Sequence, residues 1–203
     1  MTKLLNLIIT GVGGQGNVLA SQILGQAAIK KGFRVTIGET FGLSQRGGAV
    51  MSHIRLSETR NYGPLIPPNT AHVIVGLEPL ETLRIVEEYG NEETVFIANS
   101  RPIHPLNVIA GDVEYPDPKW IRDILEKAGQ RLYWLNATDK ALDLGGPIIL
   151  NMIMLGALCA LPRFPLTADD IQGVIQTIFP ASKLSTNVKA LKLGGDMIRT
   201  HEN

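Results

Sequence analysis

The residues best suited to chemistry form a glycine turn near the amino terminus, between an apolar strand and a helix. They fit the pattern G-x-G-x-x-G and consist of Gly11, Val12, Gly13, Gly14, Gln15 and Gly16. Glycine lets the backbone turn tightly, and the free N–H groups at the start of the following helix favour a negatively charged ligand. The pattern therefore predicts that the backbone of this turn contacts an anion or a nucleotide.

Glu39 adds a second feature at the end of the next predicted strand. An acidic residue there accepts hydrogen bonds from the ribose hydroxyls of NAD, so the turn and Glu39 together are typical of an NAD(P)-dependent oxidoreductase acting alone. Two features argue against this alternative. Gln15 puts a long polar side chain at the mouth of the helix, and the second half of the chain has neither a His–Asp pair nor Tyr-x-x-x-Lys. Glycine also occupies such turns for steric reasons in proteins that bind no nucleotide.

The loop after the second strand supplies a cation. Its chemistry-bearing residues are Gln45, Arg46, Gly47 and Gly48. The guanidinium of Arg46 offers a planar fork of donors that suits a carboxylate or a phosphate. Loops at the carboxyl ends of strands converge in an open α/β sheet, so we expect this loop beside the glycine turn. The alternative is that Arg46 pairs with an acid such as Glu39 and only orders the loop.

Alternating strands and helices must position these residues. We predict strands at 4–10, 33–37, 49–56, 71–77, 94–99 and 132–136. We predict helices at 17–31, 79–89, 118–129, 148–161, 167–177 and 187–199. The first forty residues predict a βαβ unit with a right-handed crossover. The whole pattern predicts a Rossmann-like, doubly wound, mostly parallel sheet with helices on both faces, in three layers. We expect one domain, 1–203, with the helices from about residue 147 packing on the same core.

Composition excludes several classes of function. Lys+Arg and Asp+Glu are equal at 19 each, so no net charge attracts nucleic acid or an anionic membrane. The longest apolar stretch, 147–161, contains Asn151 and is short for a membrane span. Cys159 is the one cysteine, so the chain has no disulfide, no zinc pattern and no set of thiolates for an iron–sulfur cluster. The first residues run straight into an apolar strand, from which we expect no signal peptide and a cytoplasmic location.

The two motifs together resemble a known family. A G-x-G-G-Q-G turn, an E-x-x-G-x-x-Q-R-G-G loop at 39–48 and the strand VMSHIR at 50–55 are similar to the gamma-type domain of 2-oxoacid:ferredoxin oxidoreductases. The segments GPLIPP at 63–68, LEPLE at 77–81 and NSRPI at 99–103 are similar to small subunits of the indolepyruvate type. The resemblance covers nearly the whole chain.

The resemblance implies a subunit in a complex. Members oxidatively decarboxylate aryl pyruvates, transfer the acyl group to coenzyme A and pass electrons to ferredoxin. It implies a large catalytic subunit that carries thiamine diphosphate and iron–sulfur clusters. The present chain would hold no tightly bound cofactor or catalytic residue. Its glycine turn and residues 45–48 would contact the large subunit or coenzyme A. A pure scaffold role, the 2-oxoacid used, the stoichiometry and homodimerisation of the isolated chain stay open.

Several other residues carry simpler expectations. Alternation along its strand predicts that His53 is exposed, and His201 falls in a terminal tail that we expect to be disordered. Glu78 precedes Pro79, where an acid caps the helix; its place at a strand end also makes it a functional candidate. Trp120 and Trp134 are interpreted as packing or interface residues. The long loop 57–69 is of a length often associated with function.

Overall fold

Six strands form one sheet in the order β2-β3-β1-β4-β5-β6. The computed structural model describes residues 4–41, 49–104, 106–112 and 114–202. The strands are β1 Leu4–Val12, β2 Arg34–Phe41, β3 Ala49–Ser57, β4 Val73–Gly76, β5 Val95–Asn99 and β6 Arg131–Leu135. The pairs β1–β4, β4–β5 and β5–β6 are parallel, whereas β3 is antiparallel to β1 and to β2. The mostly parallel sheet is therefore confirmed.

The start of the chain differs from the simple βαβ unit that we predicted. β1 and β2 run in the same direction, but β3 lies between them and pairs with both. β1 and β3 align along their full length, from Leu4 opposite Ser57 to Val12 opposite Ala49. The apolar pattern of a strand records its burial and not its neighbours, so the local sequence could not reveal this insertion.

Helices cover both faces of the sheet. They are α1 Asn17–Lys30, α2 Pro79–Tyr89, α3 Leu106–Ile109, α4 Pro118–Ala128, α5 Ala137–Leu144, α6 Leu150–Cys159, α7 Ala168–Ile178 and α8 Ala181–Glu202. One core contains residues of α1, α5, α6, α7 and α8 with one face of the sheet. A second core contains residues of α2 and α4 with the other face. The three-layer α/β architecture is thereby confirmed.

The carboxyl-terminal helices differ in detail from the prediction. The predicted helix 148–161 is a 3-10 turn, Pro147–Ile149, followed by α6. The last helix begins at Ala181 instead of residue 187. The short helices α3 and α5 were not predicted, since four and eight residues carry little periodic signal.

Helices α6 and α8 pack backbone against backbone. A Cβ atom on Gly156 would collide with the Leu191 carbonyl, and one on Gly194 would collide with the Ile153 carbonyl. Glycine is required at both positions because the helices approach closely there. The tight contact fixes α6 against α8. Asn151, in the first turn of α6, reaches the glycine turn.

Among the described residues no single helix is long and apolar enough to cross a membrane. One bent pair, Ala137–Leu144 with Pro147–Cys159, passes such a test by length and composition alone.

Candidate functional site

The glycine turn follows β1 and therefore lies at the edge of the sheet formed by the carboxyl ends of the parallel strands. Val12 pairs with Ala49 and Phe41 pairs with Val50, so the strands that flank residues 42–48 end beside the turn. Gln45, Arg46, Gly47 and Gly48 lie outside the described residues, and so does any pairing of Arg46 with Glu39. The structure places the two ends of the predicted loop next to the turn, and the position of Arg46 stays a prediction.

The backbone of the turn leaves the start of α1 open to an anion. Gly16 is the N-cap residue, with a left-handed φ of 85°, and Gly14 has a φ of 104°. Gly16 has no side chain to cap the helix, and the first turn of α1 contains no acidic residue. The N–H groups of residues 17–19 donate to no acceptor in the described part of the chain. Such unpaired donors and the helix dipole favour a negatively charged group.

The side chain of Gln15 folds inward beneath the turn. Its Oε1 accepts a hydrogen bond from the Val12 N–H at 2.7 Å, and its Nε2 donates to the Leu77 carbonyl at 2.8 Å. The residue is 8% exposed. The Gln15 side chain therefore does not lie at the mouth of the helix, where the sequence prediction placed it. It ties the end of β1 to the end of β4.

The Leu77 carbonyl is a junction between three strand ends. Besides Gln15, Asn99 at the end of β5 donates to it through Nδ2 at 3.0 Å. Asn99 also exchanges hydrogen bonds with Thr138 at the start of α5, donating at 2.9 Å and accepting at 3.1 Å. The buried amides hold the edge of the sheet that carries the turn.

Two further amides contact the turn and the neighbouring strand. Asn151 Nδ2 donates to the Gly16 carbonyl at 3.3 Å, and Asn17 Nδ2 donates to the Val50 carbonyl at 3.0 Å. A Cβ atom on Gly16 would collide with Asn151 Nδ2. The sequence prediction missed Asn17 and Asn99 and gave Asn151 no contact. The available signal was an asparagine at a strand end, a helix start or inside an apolar helix, where its amide must find a partner.

Glu39 has a structural role in this edge. Ser21 of α1 donates to its Oε1 at 2.7 Å, and Ser52 of β3 donates to its Oε2 at 2.5 Å. Because β3 separates β2 from β1, Glu39 stands two strands from the turn, about 10 Å at the usual strand spacing. Glu39 therefore clamps α1 to β3, and its use as a ribose acceptor is not supported.

Glu78 caps α2, as the simpler interpretation predicts. Its Oε2 accepts from the Glu81 N–H at 2.9 Å. Its Oε1 accepts from the Tyr115 hydroxyl at 2.6 Å and from the Ile103 N–H at 3.2 Å. Burial, with the hydrogen bond to this carboxylate, raises the pKa of Tyr115 far above its ordinary value. All of these contacts are internal, so Glu78 fixes the segment after β5 against α2.

His53 is buried, contrary to the prediction of an exposed residue. It is 1% exposed, and its Nδ1 accepts from the Ile66 N–H at 3.3 Å. Burial lowers the pKa of His53. Arg55 on the same face donates to the carbonyls of Gly63 and Leu65, each at 3.1 Å. The loop 57–69 is thus held over one sheet face, so the structure gives it a covering role.

The remaining candidates lie away from the turn. His201 is on α8, where its ring meets the Tyr133 ring edge-on at 6.2 Å, so the expectation of a disordered tail is wrong. Trp120 is 53% exposed at the surface of α4, and Trp134 is half-buried. Burial raises the pKa of the Cys159 thiol to about 12, which leaves it unreactive. No cluster of three potential metal ligands occurs in the described ranges.

Comparison with known proteins identifies the family. The family model described as pyruvate ferredoxin/flavodoxin oxidoreductase matches residues 6–197. The indolepyruvate oxidoreductase subunit IorB of Pyrococcus horikoshii is 38% identical over 190 residues, covering 93% of each chain.

Two solved structures share the fold. The gamma subunit of a keto/oxoacid ferredoxin oxidoreductase from Geobacter sulfurreducens has a TM-score of 0.70 at 20% identity, covering 97% of this chain and 99% of that one. A 2-oxoglutarate:ferredoxin oxidoreductase from Magnetococcus marinus has a TM-score of 0.76 at 20% identity, covering 98% of this chain and 32% of that one. The match of the family model and the identity along nearly the full chain agree with this likeness, and the chain belongs to the pyruvate ferredoxin/flavodoxin oxidoreductase family.

Proposed function

We propose that the chain is the small subunit of a ferredoxin-dependent 2-oxoacid oxidoreductase that acts on indolepyruvate and other aryl pyruvates. The observation that carries the proposal is the 38% identity to a subunit of indolepyruvate oxidoreductase along 93% of both chains. The reaction is oxidative decarboxylation to an acyl-CoA, with the electrons passing to ferredoxin. Glu39 and the inserted strand β3 leave the alternative, an NAD(P)-dependent enzyme acting alone, without structural support.

The donor set of the chain decides which cofactors it can hold. Iron–sulfur clusters are held by several thiolates, and the chain has one cysteine, Cys159. Its residues therefore do not fit a cluster. Gly111 and Asp112 are not followed by the glycine of the usual thiamine diphosphate motif. We propose that both groups belong to a large catalytic subunit, and that ferredoxin reaches the complex through that subunit.

The glycine turn is the proposed contribution of this chain to the active complex. The uncapped start of α1 presents backbone N–H groups, and residues 45–48 connect strands that end beside it. Hypothesis: the turn, with Arg46, contacts an anionic group of coenzyme A or of the large subunit near the site of acyl transfer. The inward-facing amides of Gln15, Asn99 and Asn151 keep the turn in place for that contact.

Three further proposals complete this assignment. Residues 1–203 act as one domain, since α6, α7 and α8 share a core with the sheet. The complex works in the cytoplasm, because it depends on soluble ferredoxin and coenzyme A. The isolated chain forms a homodimer only when its large subunit is missing. Analytical ultracentrifugation of the chain with and without its partner would test the last of these.

An Arg46→Ala variant tests the role of the loop. In the complex with the large subunit we expect a KM for coenzyme A raised about tenfold or more, as the loss of a charged hydrogen bond predicts, with assembly intact. Arg122→Ala is the matched control, because Arg122 lies on the surface of α4 in an exposed pair with Glu126. Normal assembly and normal kinetics in Arg46→Ala would remove the proposed role of Arg46.

A further inference from the structure

A cavity of about 280 Å³ opens between the start of α1, the 3-10 turn before α6, and the first turns of α8. Its walls are largely apolar and include Leu19, Leu144, Ile148 and Phe179. Ile148 is 62% exposed at the cavity. The side chains that line this cavity leave its volume open. Its walls suit a flat or branched apolar group.

Two buried asparagines give the cavity a polar floor. Asn151 and Asn187 both line it and are 2% and 8% exposed. Asn151 Nδ2 donates to the Gly16 carbonyl at 3.3 Å, and Asn187 Nδ2 donates to the Lys183 carbonyl at 2.8 Å. A carbonyl can only accept, so these bonds fix which end of each amide is nitrogen.

The Oδ1 atoms of Asn151 and Asn187 are left as acceptors without donors. Neither accepts a hydrogen bond from any described residue. In the described ranges only Asn17 Oδ1 and His53 Nε2 are fully shielded side-chain polar atoms without a partner. The oxygens of Asn151 and Asn187 therefore retain access to open space, and the space that these side chains line is the cavity. A buried acceptor without a partner selects a ligand that brings an N–H or O–H donor.

The side of the cavity formed by α8 favours a negative charge. Lys183 lines it together with Ser182 and Thr186, on the first turns of α8. Lys183 is exposed and forms no ion pair with the residues that the structure describes. An ammonium group and two hydroxyls can bind a carboxylate of a ligand whose body lies in the cavity.

We propose that this cavity binds a small heteroaromatic acid. The ring lies against Leu144, Ile148 and Phe179, its N–H donates to an asparagine Oδ1, and its carboxylate meets Lys183. The choice of an indole acid rests on the proposed function. The preference for an N–H or O–H donor and for an anion rests on the cavity alone. Pockets for drug-sized ligands begin at about 300 Å³, so the cavity suits one two-ring acid and is too small for a dinucleotide.

Binding in the cavity is coupled to the proposed functional site through Asn151. The same amide that offers its oxygen to the cavity holds the Gly16 carbonyl with its nitrogen. A ligand that donates to Asn151 orients this amide and so supports the conformation of the turn. The site would let an aryl acid influence the small subunit at a distance from the chemistry on the large one.

Isothermal titration of the full chain with three matched probes tests the proposal. Indole-3-acetate carries both groups, 1-methylindole-3-acetate lacks the N–H donor, and indole-3-acetamide lacks the charge. We expect saturable binding of the first, binding about fivefold weaker for the N-methyl compound and about tenfold weaker for the amide. Equal affinity for the three probes, or no saturable binding of indole-3-acetate, would overturn the proposal.

A pair of variants tests whether Lys183 binds the carboxylate of the ligand. Lys183→Gln should lower the affinity for indole-3-acetate about tenfold and leave indole-3-acetamide unchanged. Lys189→Gln is the control, because Lys189 is exposed on the same helix and does not line the cavity. Unchanged binding of the acid to Lys183→Gln would contradict the proposal.

The titration is independent of the complex. Failure of the probes to bind would leave assembly and turnover with the large subunit untouched. Failure of the chain to assemble would leave the selectivity for N–H and charge measurable on the chain alone.

Discussion

Gln15 illustrates what the sequence could and could not predict at the residue scale. The spacing of the glycines predicted the turn and the start of α1 correctly. It did not predict that the Gln15 side chain reaches under the turn to Leu77, sixty-two residues later in the chain. Side-chain direction here depends on β4 lying beside β1, and the local sequence does not contain that pairing. The same reason explains why Asn99 and Asn17 were missed.

Gln15→Ala should lower the free energy of unfolding by about 1–3 kcal/mol, because the buried Val12 N–H loses its acceptor. Denaturant unfolding with a linear fit measures the change. Gln176→Ala, on the exposed side of α7, is the control and should stay within about 0.5 kcal/mol of the parent. A Gln15→Ala variant as stable as the control would show that water replaces the side chain at no cost.

Gly14 and Gly16 form a matched pair for the turn. Both have a left-handed φ, but a Cβ atom on Gly14 meets nothing within 4 Å, whereas one on Gly16 collides with the amide of Asn151. We expect Gly14→Ala to cost about 1–2 kcal/mol from backbone strain alone, and Gly16→Ala to cost more. Thermal unfolding of both variants measures the difference. Equal costs would mean that Asn151 moves aside freely, which would weaken its assignment as a support of the turn.

At the element scale, β3 and the loop 57–69 show how burial overrides a strand pattern. His53 and Arg55 alternate with the apolar residues Ile54 and Leu56, which is typical of a strand with one exposed face. The loop covers that face through the buried Ile66, the Ile66 N–H to His53 and the two carbonyls bound by Arg55. A strand pattern reports the side-chain period correctly, yet it does not report what a distant loop places above the polar face.

One buried histidine, His53, and one half-buried histidine, His72, predict how stability depends on pH. Burial lowers the pKa of His53 and of His72 below the ordinary value of 6.5, and each Nδ1 accepts a backbone N–H bond that requires it to be unprotonated. Below about pH 6.5 these histidines bind protons in the unfolded chain but remain unprotonated in the folded chain. The contribution of these histidines to the free energy of unfolding should therefore be fully present above that pH and should fall as the pH is lowered through it.

His53→Gln separates this contribution from others. The amide oxygen of glutamine can still accept the Ile66 N–H but does not titrate, so the decline between about pH 7.5 and pH 5.5 should become shallower. His201→Gln, at an exposed position of α8, is the matched control. Burial raises the pKa of Glu81 above its ordinary value of 4.5. Its effect on the free energy of unfolding has the opposite sign, because above about pH 4.5 the folded chain keeps a proton that the unfolded chain has lost. A parent curve that is flat across this window would contradict the assignment.

At the scale of the whole molecule, the class of fold was predictable and the strand order was not. Alternating strands and helices require a layered α/β sheet, whichever strand pairs with which. The position of β3 between β1 and β2 separates Glu39 from the turn, and this one insertion removes the geometry of a dinucleotide site. The paired glycine-turn and QRGG motifs predicted the family correctly where the turn alone favoured NAD(P).

The whole chain also corresponds to one part of a larger assembly. The Magnetococcus marinus structure covers 98% of this chain with only 32% of its own, so in that protein the same fold is joined to a longer polypeptide. A fold whose relatives are subunits or segments is expected to act through its partners. The inward-facing polar groups around the turn fit such a role, because they stabilise an edge and leave its backbone for contact.

The most direct measurement is turnover of an aryl pyruvate with coenzyme A and oxidised ferredoxin, by the purified large subunit with and without this chain, under anaerobic conditions. Iron and thiamine diphosphate should be found on the large subunit. Reduction of ferredoxin should require both chains in a stable complex. This chain alone should neither oxidise the aryl pyruvate nor bind NAD. Full turnover by the large subunit alone, or NAD-dependent activity of this chain alone, would contradict its assignment as the small subunit.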